Sequence, residues 1–367
     1  MKFVKELKTA SRTNIMSALR LTYQLLARQR ILKLSISILV LLILIGVAGS
    51  LGVNNVSIFQ VLSIILDTWI ADWNTTVNEL DRTIVLHLRL PRVALGLVAG
   101  AALAIAGVVM QGIMRNPLVS PFTVGISPAA SFGATVAVLT GWEALPGGHY
   151  IVVLCAFISA MVCASLVLSI STIRGSQSTT LILVGIALTY FFAALTNAGQ
   201  FIATEEDLSI IVHWTFGSLN RSTWDHVIFV LTIICITLPF LIRYAWCYNA
   251  LNQGEEVATS LGYNVKKTRI VTIILAVLLS AGVVSFTGVI GFIGLVAPHI
   301  SRYIIGTDHR FLIPFSAVVG AILLVAADTL GRTALSPVII PVGIVVAFIG
   351  VPMFVHLILS KKQDYFS

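Results

Sequence analysis

Of 367 residues, 57% are apolar and only 10% are charged, a balance that excludes a soluble globule and points to a chain that crosses a membrane several times. The net charge of +8 sits on the flanks of apolar segments rather than on one folded basic face, so orientation in a bilayer accounts for it and nucleic acid is not the partner. Cys155, Cys163, Cys235 and Cys247 show no CxxC spacing, which leaves neither a metal cluster nor a disulfide framework, and they read as small core residues.

In chain order, residues 1–33 form a basic lead, with Lys2, Lys5, Lys8, Arg12, Arg20, Arg28, Arg30 and Lys33 against Glu6 alone. The apolar run from Leu34 to Ser50 is a first crossing whose basic flank fixes the N-terminus in the cytoplasm. Its length and the long polar lead argue against a cleavable signal peptide. Val56 to Ile70 predicts an interfacial helix, followed by an acidic outer loop with Asp72, Glu79 and Asp81. Arg89-Leu90-Pro91-Arg92 opens the next crossing, and Val93 to Met114 carries Gly96, Gly100, Ala102, Ala104, Ala106 and Gly107. Small residues let helix backbones approach closely, so this helix is expected to be surrounded by other helices rather than by lipid.

Arg115-Asn116-Pro117-Leu118 breaks that helix on the cytoplasmic side. Crossings over 121–139, 150–173, 181–201 and 227–242 follow, with a cytoplasmic turn at 174–180 and an aromatic outer segment from Trp214 to Asp225. The polar stretch 249–269 is expected to lie in the cytoplasm as short amphipathic helices about a Leu261-Gly262 break. Residues 270–284 cross outward, and 289–300, stopped at Pro298-His299, is too short for a full span. Crossings at 311–330 and 341–359 lead to a tail, 361–367. The fold class is therefore an all-α polytopic membrane protein of about ten transmembrane helices with both termini cytoplasmic. The permease domain is a single unit, 34–360. Among the 23 basic residues only Arg82, Arg89, Arg92, Arg221 and Arg332 then lie outside.

Several stretches resemble one family. They are Arg89-Leu90-Pro91-Arg92, Gly100-Ala101-Ala102-Leu103-Ala104, Gln111, Arg115-Asn116-Pro117-Leu118 and Gly125; then Trp214 with Gly217-Ser218-Leu219, and Leu261-Gly262. The last third adds Gly291-Phe292-Ile293-Gly294-Leu295, Pro298-His299, Arg302, Asp308-His309-Arg310, Ala327-Asp328, Arg332 and Pro341-Val342-Gly343. In this order over residues 84–359 the chain is similar to the FecCD family, the permease subunits of ABC importers for ferric siderophores, haem and vitamin B12. It departs from the family pattern at Ile339, where an acid is common, and at Ser127-Pro128-Ala129-Ala130.

The resemblance implies a type II ABC importer permease fold in a bacterial cytoplasmic membrane. It also implies a second permease copy or paralogue, two cytoplasmic ABC ATPase subunits and an extracytoplasmic substrate-binding protein as partners. It assigns docking of the binding protein to Arg89, Arg92 and Arg332, where the guanidinium fork suits a carboxylate; charge reversal at Arg92 is expected to abolish uptake and leave insertion intact. It assigns the cytoplasmic gate to Asn116, Leu118, Ser178 and Thr179, although Ser178 or Thr179 also suits the N-cap of the following helix. The coupling surface falls on Gly254, Glu255, Glu256, Leu261, Gly262 and Lys266.

Asp328 is the one acid deep in an apolar stretch, and its spacing from Arg332 leaves a structural pair open beside a functional role. His299 reads as part of a helix break, with no metal site around it. No GxxxxGK[ST] loop is present, so ATP is used by a partner subunit and the chain has neither a catalytic residue nor a cofactor of its own. The expected cargo is an iron complex, a ferric siderophore first and haem or cobalamin next. An ion-coupled secondary transporter is the alternative of another class and would need more intramembrane charges than Asp328.

Overall fold

The computed structural model describes residues 12–52, 56–69, 78–173 and 178–360, so the extreme N-terminal lead, most of the turn at 174–180 and the tail at 361–367 lie outside the described residues. Fifteen α-helices run among these residues: α1 Arg12–Ser50, α2 Ile58–Trp69, α3 Glu79–Thr83, α4 Leu90–Met114, α5 Ile126–Leu139, α6 Gly148–Ile173, α7 Ser178–Ile202, α8 Glu205–Thr215, α9 Trp224–Arg243, α10 Ala245–Asn252, α11 Glu255–Ser260, α12 Val265–Thr287, α13 Ile293–Ile305, α14 His309–Thr333 and α15 Val342–Ser360. Seven of the apolar helices are long enough to cross a bilayer, and α2, α5, α13 and α15 supply shorter apolar segments. The ten expected crossings map onto α1, α4, α5, α6, α7, α9, α12, α13, α14 and α15, with α2 as the expected amphipathic helix. The ends of the bundle are called inner and outer below after the charge asymmetry of the sequence.

Helix α4 is the axis. Most of its residues are buried, and it packs most extensively against α14, then α12, α13 and α9. The small residues permit this: a Cβ on Gly100 would run into the backbone of Gly320 in α14, and one on Gly107 into the carbonyl of Gly294 in α13. By contrast α1, a 39-residue helix, stays on the periphery, and few residues of its apolar half are buried.

Four local expectations change. The first crossing does not begin as a separate helix at Leu34: helix α1 runs without a break from Arg12, because nothing between Arg28 and Leu34 removes an amide or favours a turn. Residues 289–300 do not form a helix stopped at Pro298. Gly288 at φ 68° and Phe292 at φ 62° delay the start to Ile293, and the helix runs through Pro298 to Ile305. The proline removes the donor to the Gly294 carbonyl, and the Gln111 side chain of α4 supplies a substitute at 3.5 Å. Ser178 and Thr179 are not caps but lie inside the first turn of α7. One short helix was not expected: with Thr204 as N-cap accepting from the Asp207 amide, Glu205 and Asp207 start α8. Of the cysteines, Cys163 and Cys247 are buried as expected, whereas Cys235 is exposed on the outward face of α9.

Candidate functional site

At the outer end, a turn of π-helix, Ile84–Arg89, feeds directly into α4 and brings Arg89 and Arg92 toward the end of α1. An α-helix leaves its last four carbonyls without intrahelical donors, and here every one is taken. The Val47 carbonyl receives the Leu51 amide at 3.0 Å, and the Ala48 carbonyl receives Arg332 at 3.1 Å. Arg89 donates to the Gly49 and Ser50 carbonyls at 3.1 and 2.8 Å. Two cations at a helix C-terminus also complement its dipole. Asp328 of α14 lies beside them, 3% exposed, with Arg92 forked onto both its oxygens at 2.8 to 3.0 Å and Arg332 at 3.1 Å one turn along the same helix.

The expected docking residues are thus brought together, but as a buried cluster that also terminates α1. Of the two readings left open for Asp328, the geometry takes the ion pair with Arg332 and adds Arg92, which no local spacing foretold. Arg92 and Arg332 together engage both oxygens of Asp328, so ion pairing accounts for this acid without an ion-coupled mechanism. The expectation for Arg92 also changes. A glutamate there would set two carboxylates against each other in a buried site, so folding as well as uptake would suffer.

At the inner end the arrangement is open. Asn116 accepts the Leu118 amide at 2.9 Å, a local turn that holds the Leu118 side chain outward, 52% exposed. The turn of 3₁₀ helix that follows, Pro121–Val124, lies against the backbone of Gly185 two turns into α7, so the loop carrying Asn116 and Leu118 and the start of α7 carrying Ser178 and Thr179 share one end of the bundle. Nearby, α10 and α11 form the polar excursion. Gly254 adopts φ 128° and Gly262 φ 86°, so both bends around α11 use conformations that an L side chain resists. Glu255 pairs with buried Arg269 at 3.2 Å, while Glu256 and Lys266 are exposed. Leu261 stands 64% exposed at the tip, with Val257 beside it.

One hub at this end was not singled out from the sequence. Asp308 caps α14 through the Arg310 amide and binds the Arg310 side chain, the Asn249 amide group and Arg30 of α1 at 3.2 Å. Burial works against its charge, but the hydrogen bonds from Arg310 and Asn249 prevail and hold the carboxyl down at about 2. Arg310 stacks over Trp246, 4.0 Å from the ring centroid, and Lys33 donates to the Ile304 carbonyl at 2.7 Å. The basic lead is therefore tied to the coupling segment. The signal available in the sequence was an aspartate placed directly before an apolar helix, the usual N-cap pattern. His299 donates from Nδ1 to the Leu295 carbonyl, 2.7 Å away, within α13, and no cluster of metal-ligating residues occurs among the described residues.

Residues 38–360 match the FecCD transport family. The chain is 34% identical over 334 residues to the hemin transport system permease protein of Yersinia pestis, covering 90% of this chain and 97% of that protein. It is 39% identical over 288 residues to the cobalamin import system permease protein of Halobacterium salinarum, covering 78% and 76%. Among solved structures, an inward-facing ABC transporter described as being of metal-chelate type superposes with a TM-score of 0.78 at 30% identity, over 89% of this chain and 99% of that one.

Proposed function

We propose that this chain, which belongs to the FecCD transport family, is the permease subunit of an ABC importer that carries an iron complex, a ferric siderophore first, across the bacterial cytoplasmic membrane. The observation that carries this reading is the likeness over almost the full chain to a transporter described as of metal-chelate type. Haem and cobalamin are the second choice, favoured by the two relatives named above. Residues 34–360 act as one permease domain, and a second copy or paralogue completes the pathway. Two ATPase subunits bind below and supply the energy from ATP, and a binding protein delivers cargo from outside.

In this mechanism the outer cluster receives the binding protein. Three arginines, Arg89, Arg92 and Arg332, surround one carboxylate, Asp328, so the cluster keeps an excess of positive charge that attracts an acidic partner even while Arg89 and Arg332 hold the end of α1. At the inner end Asn116, Leu118, Ser178 and Thr179 close the route with uncharged side chains, which separate without exposing a buried charge. Gly254, Glu255, Glu256, Leu261, Gly262 and Lys266 receive the ATPase: the exposed Leu261 and Val257 offer an apolar anchor, and the acids and Lys266 a polar rim. Asp328 and His299 act by holding structure.

The test is uptake in a strain lacking this chain, with labelled ferric siderophore, haem and cobalamin supplied in turn. Loss of ferric siderophore uptake, restored by the intact chain, is the expected result. Loss of haem or cobalamin uptake alone moves the cargo to the second choice, and loss of none of the three overturns the reading.

A further inference from the structure

Two non-glycine residues have positive φ among the described residues, and they differ in kind. Arg115 at φ 51°, ψ 37° is an ordinary left-handed helix cap whose amide reaches the Gly112 carbonyl. Phe292 at φ 62°, ψ −30° is not: the Ile293 amide binds the Gly291 carbonyl at 2.7 Å, which makes Phe292 the centre of a three-residue turn of the rare, strained hand. A bulky aromatic is the least suited residue for such a turn, and strain of this type persists where the surroundings impose it.

The surroundings are two cavities. One is an open groove of about 620 Å³ formed with Phe216, Val289, Gly291, Ala347 and Phe348; the other is a more enclosed apolar pocket of about 130 Å³ formed with Val296, Leu323, Ala327, Gly350 and Met353. Phe292 is the one residue that lines both, so its ring is the partition between them. The smaller pocket approaches the size at which an apolar cavity of about 150 Å³ holds a benzene ring. The ring already leans that way, because a Cβ added to Gly350 would sit 3.2 Å from the Phe292 Cγ and 3.5 Å from its Cδ1.

Depth places this partition inside the membrane. The 13 residues of α13 rise about 20 Å from the inner end, some 10 Å short of a bilayer core of about 30 Å. Residues 288–292 are not helical, and irregular backbone at that depth is tolerated only where protein buries it or where it lines a cavity that admits water. Protein buries Gly288 and Ile290, and the groove beside Val289 and Gly291 opens where the backbone is irregular, which suits a wall of the route better than a lipid face.

We infer that Phe292 is a movable wall of the translocation route and a determinant of cargo size: its ring divides the groove from the apolar pocket in one state and withdraws into the pocket in the other, which enlarges the chamber. This rests on the importer reading above. The strained turn holds energy that a second arrangement of the ring would release, and the missing side chain at Gly350 gives it room to move. A fixed lining residue would need neither.

The test uses the assembled transporter, with its ATPase and binding protein, in lipid nanodiscs. With 4-fluorophenylalanine at position 292, the fluorine spectrum is expected to show two environments whose ratio changes on addition of a non-hydrolysable ATP analogue. Phe292→Ala is expected to raise uptake of a bulky ferric trihydroxamate relative to ferric citrate by roughly tenfold. Gly350→Ala, a smaller change that crowds the ring, is expected to slow turnover with binding-protein docking unchanged. One fluorine environment that ignores nucleotide, or an unaltered cargo ratio in Phe292→Ala, overturns the inference. A ring that shifts with nucleotide in a wild-type chain that imports no iron chelate supports the movable wall and overturns the cargo reading instead.

Discussion

The two ends of the bundle use charge in opposite ways. At the outer end Arg89, Arg92, Arg332 and Asp328 form a buried cluster in which the acid is bound by two arginines and the last carbonyls of α1 are all satisfied. At the inner end Glu255, Glu256 and Lys266 stay exposed around Leu261, and the groups that are tied together, Asp308 with Arg30, Arg310 and Asn249, lie beside that surface rather than in it. A buried cluster sets the geometry of the fold and changes only at high cost, whereas an exposed apolar tip with a polar rim leaves binding energy for a partner. The same residue types are thus tied into internal pairs in one place and left exposed in the other.

The sharpest way to break this contrast is at Asp328. Asp328→Asn leaves two buried guanidinium groups without their carboxylate and is expected to cost about 3–5 kcal/mol, read as a fall in thermal unfolding temperature in detergent. If stability is retained, the outer end is no more committed to structure than the inner one. Arg92→Glu follows with a comparable loss of folded, inserted protein. Replacing Arg92, Arg332 and Asp328 together by Met, Met and Leu is expected to recover part of the stability, with the Ala48 carbonyl left without its donor, while binding-protein docking is lost if the cluster also receives that protein.

At the inner end Leu261→Glu is expected to change stability by no more than about 0.5 kcal/mol, because the side chain is exposed. Stimulation of ATP hydrolysis by loaded binding protein is nevertheless expected to fall by at least about tenfold if this tip anchors the ATPase. A normal coupled rate would remove Leu261 from the coupling surface.

The smallest effect concerns pH. The Asp308 carboxyl is held below its ordinary value of 3.8, so the attachment of α1 that it provides is complete above that value and is lost only as pH falls from there through about 2. Protease protection of the inner half of α1 is therefore expected to be constant between about pH 5 and 7. Asp308→Asn is expected to expose that segment at every pH in the range. Loss of protection near neutral pH in the unaltered chain would show that Asp308 is not the tie.

Much of this was legible in the residues themselves. Small residues at Gly100 and Gly107 announced close helix contacts, and Thr204 and Asp308 carried cap signals, because those requirements are local or follow helical spacing. The number of apolar crossings and the roster of motifs were also open to inspection. What escaped was the path through Pro298, since a proline normally ends a helix and only Gln111, far away in sequence, supplies the missing donor. The Phe292 partition escaped for a similar reason: an aromatic in a strained turn has no local signature, and the two cavities exist only once α14 and α15 are in place.

By itself the sequence determined a membrane chain of about ten apolar helices, their orientation by basic flanks and the helix made for burial, because bilayer thickness and helical period act on neighbouring residues. Only the tertiary structure decided that Arg92 meets Asp328 across 236 positions, that Arg89 and Arg332 close the end of α1, and that Asp308 ties the basic lead to the coupling segment. Each of these joins residues on separate helices to satisfy a buried charge or a free carbonyl, and such partners are chosen by packing rather than by spacing along the chain.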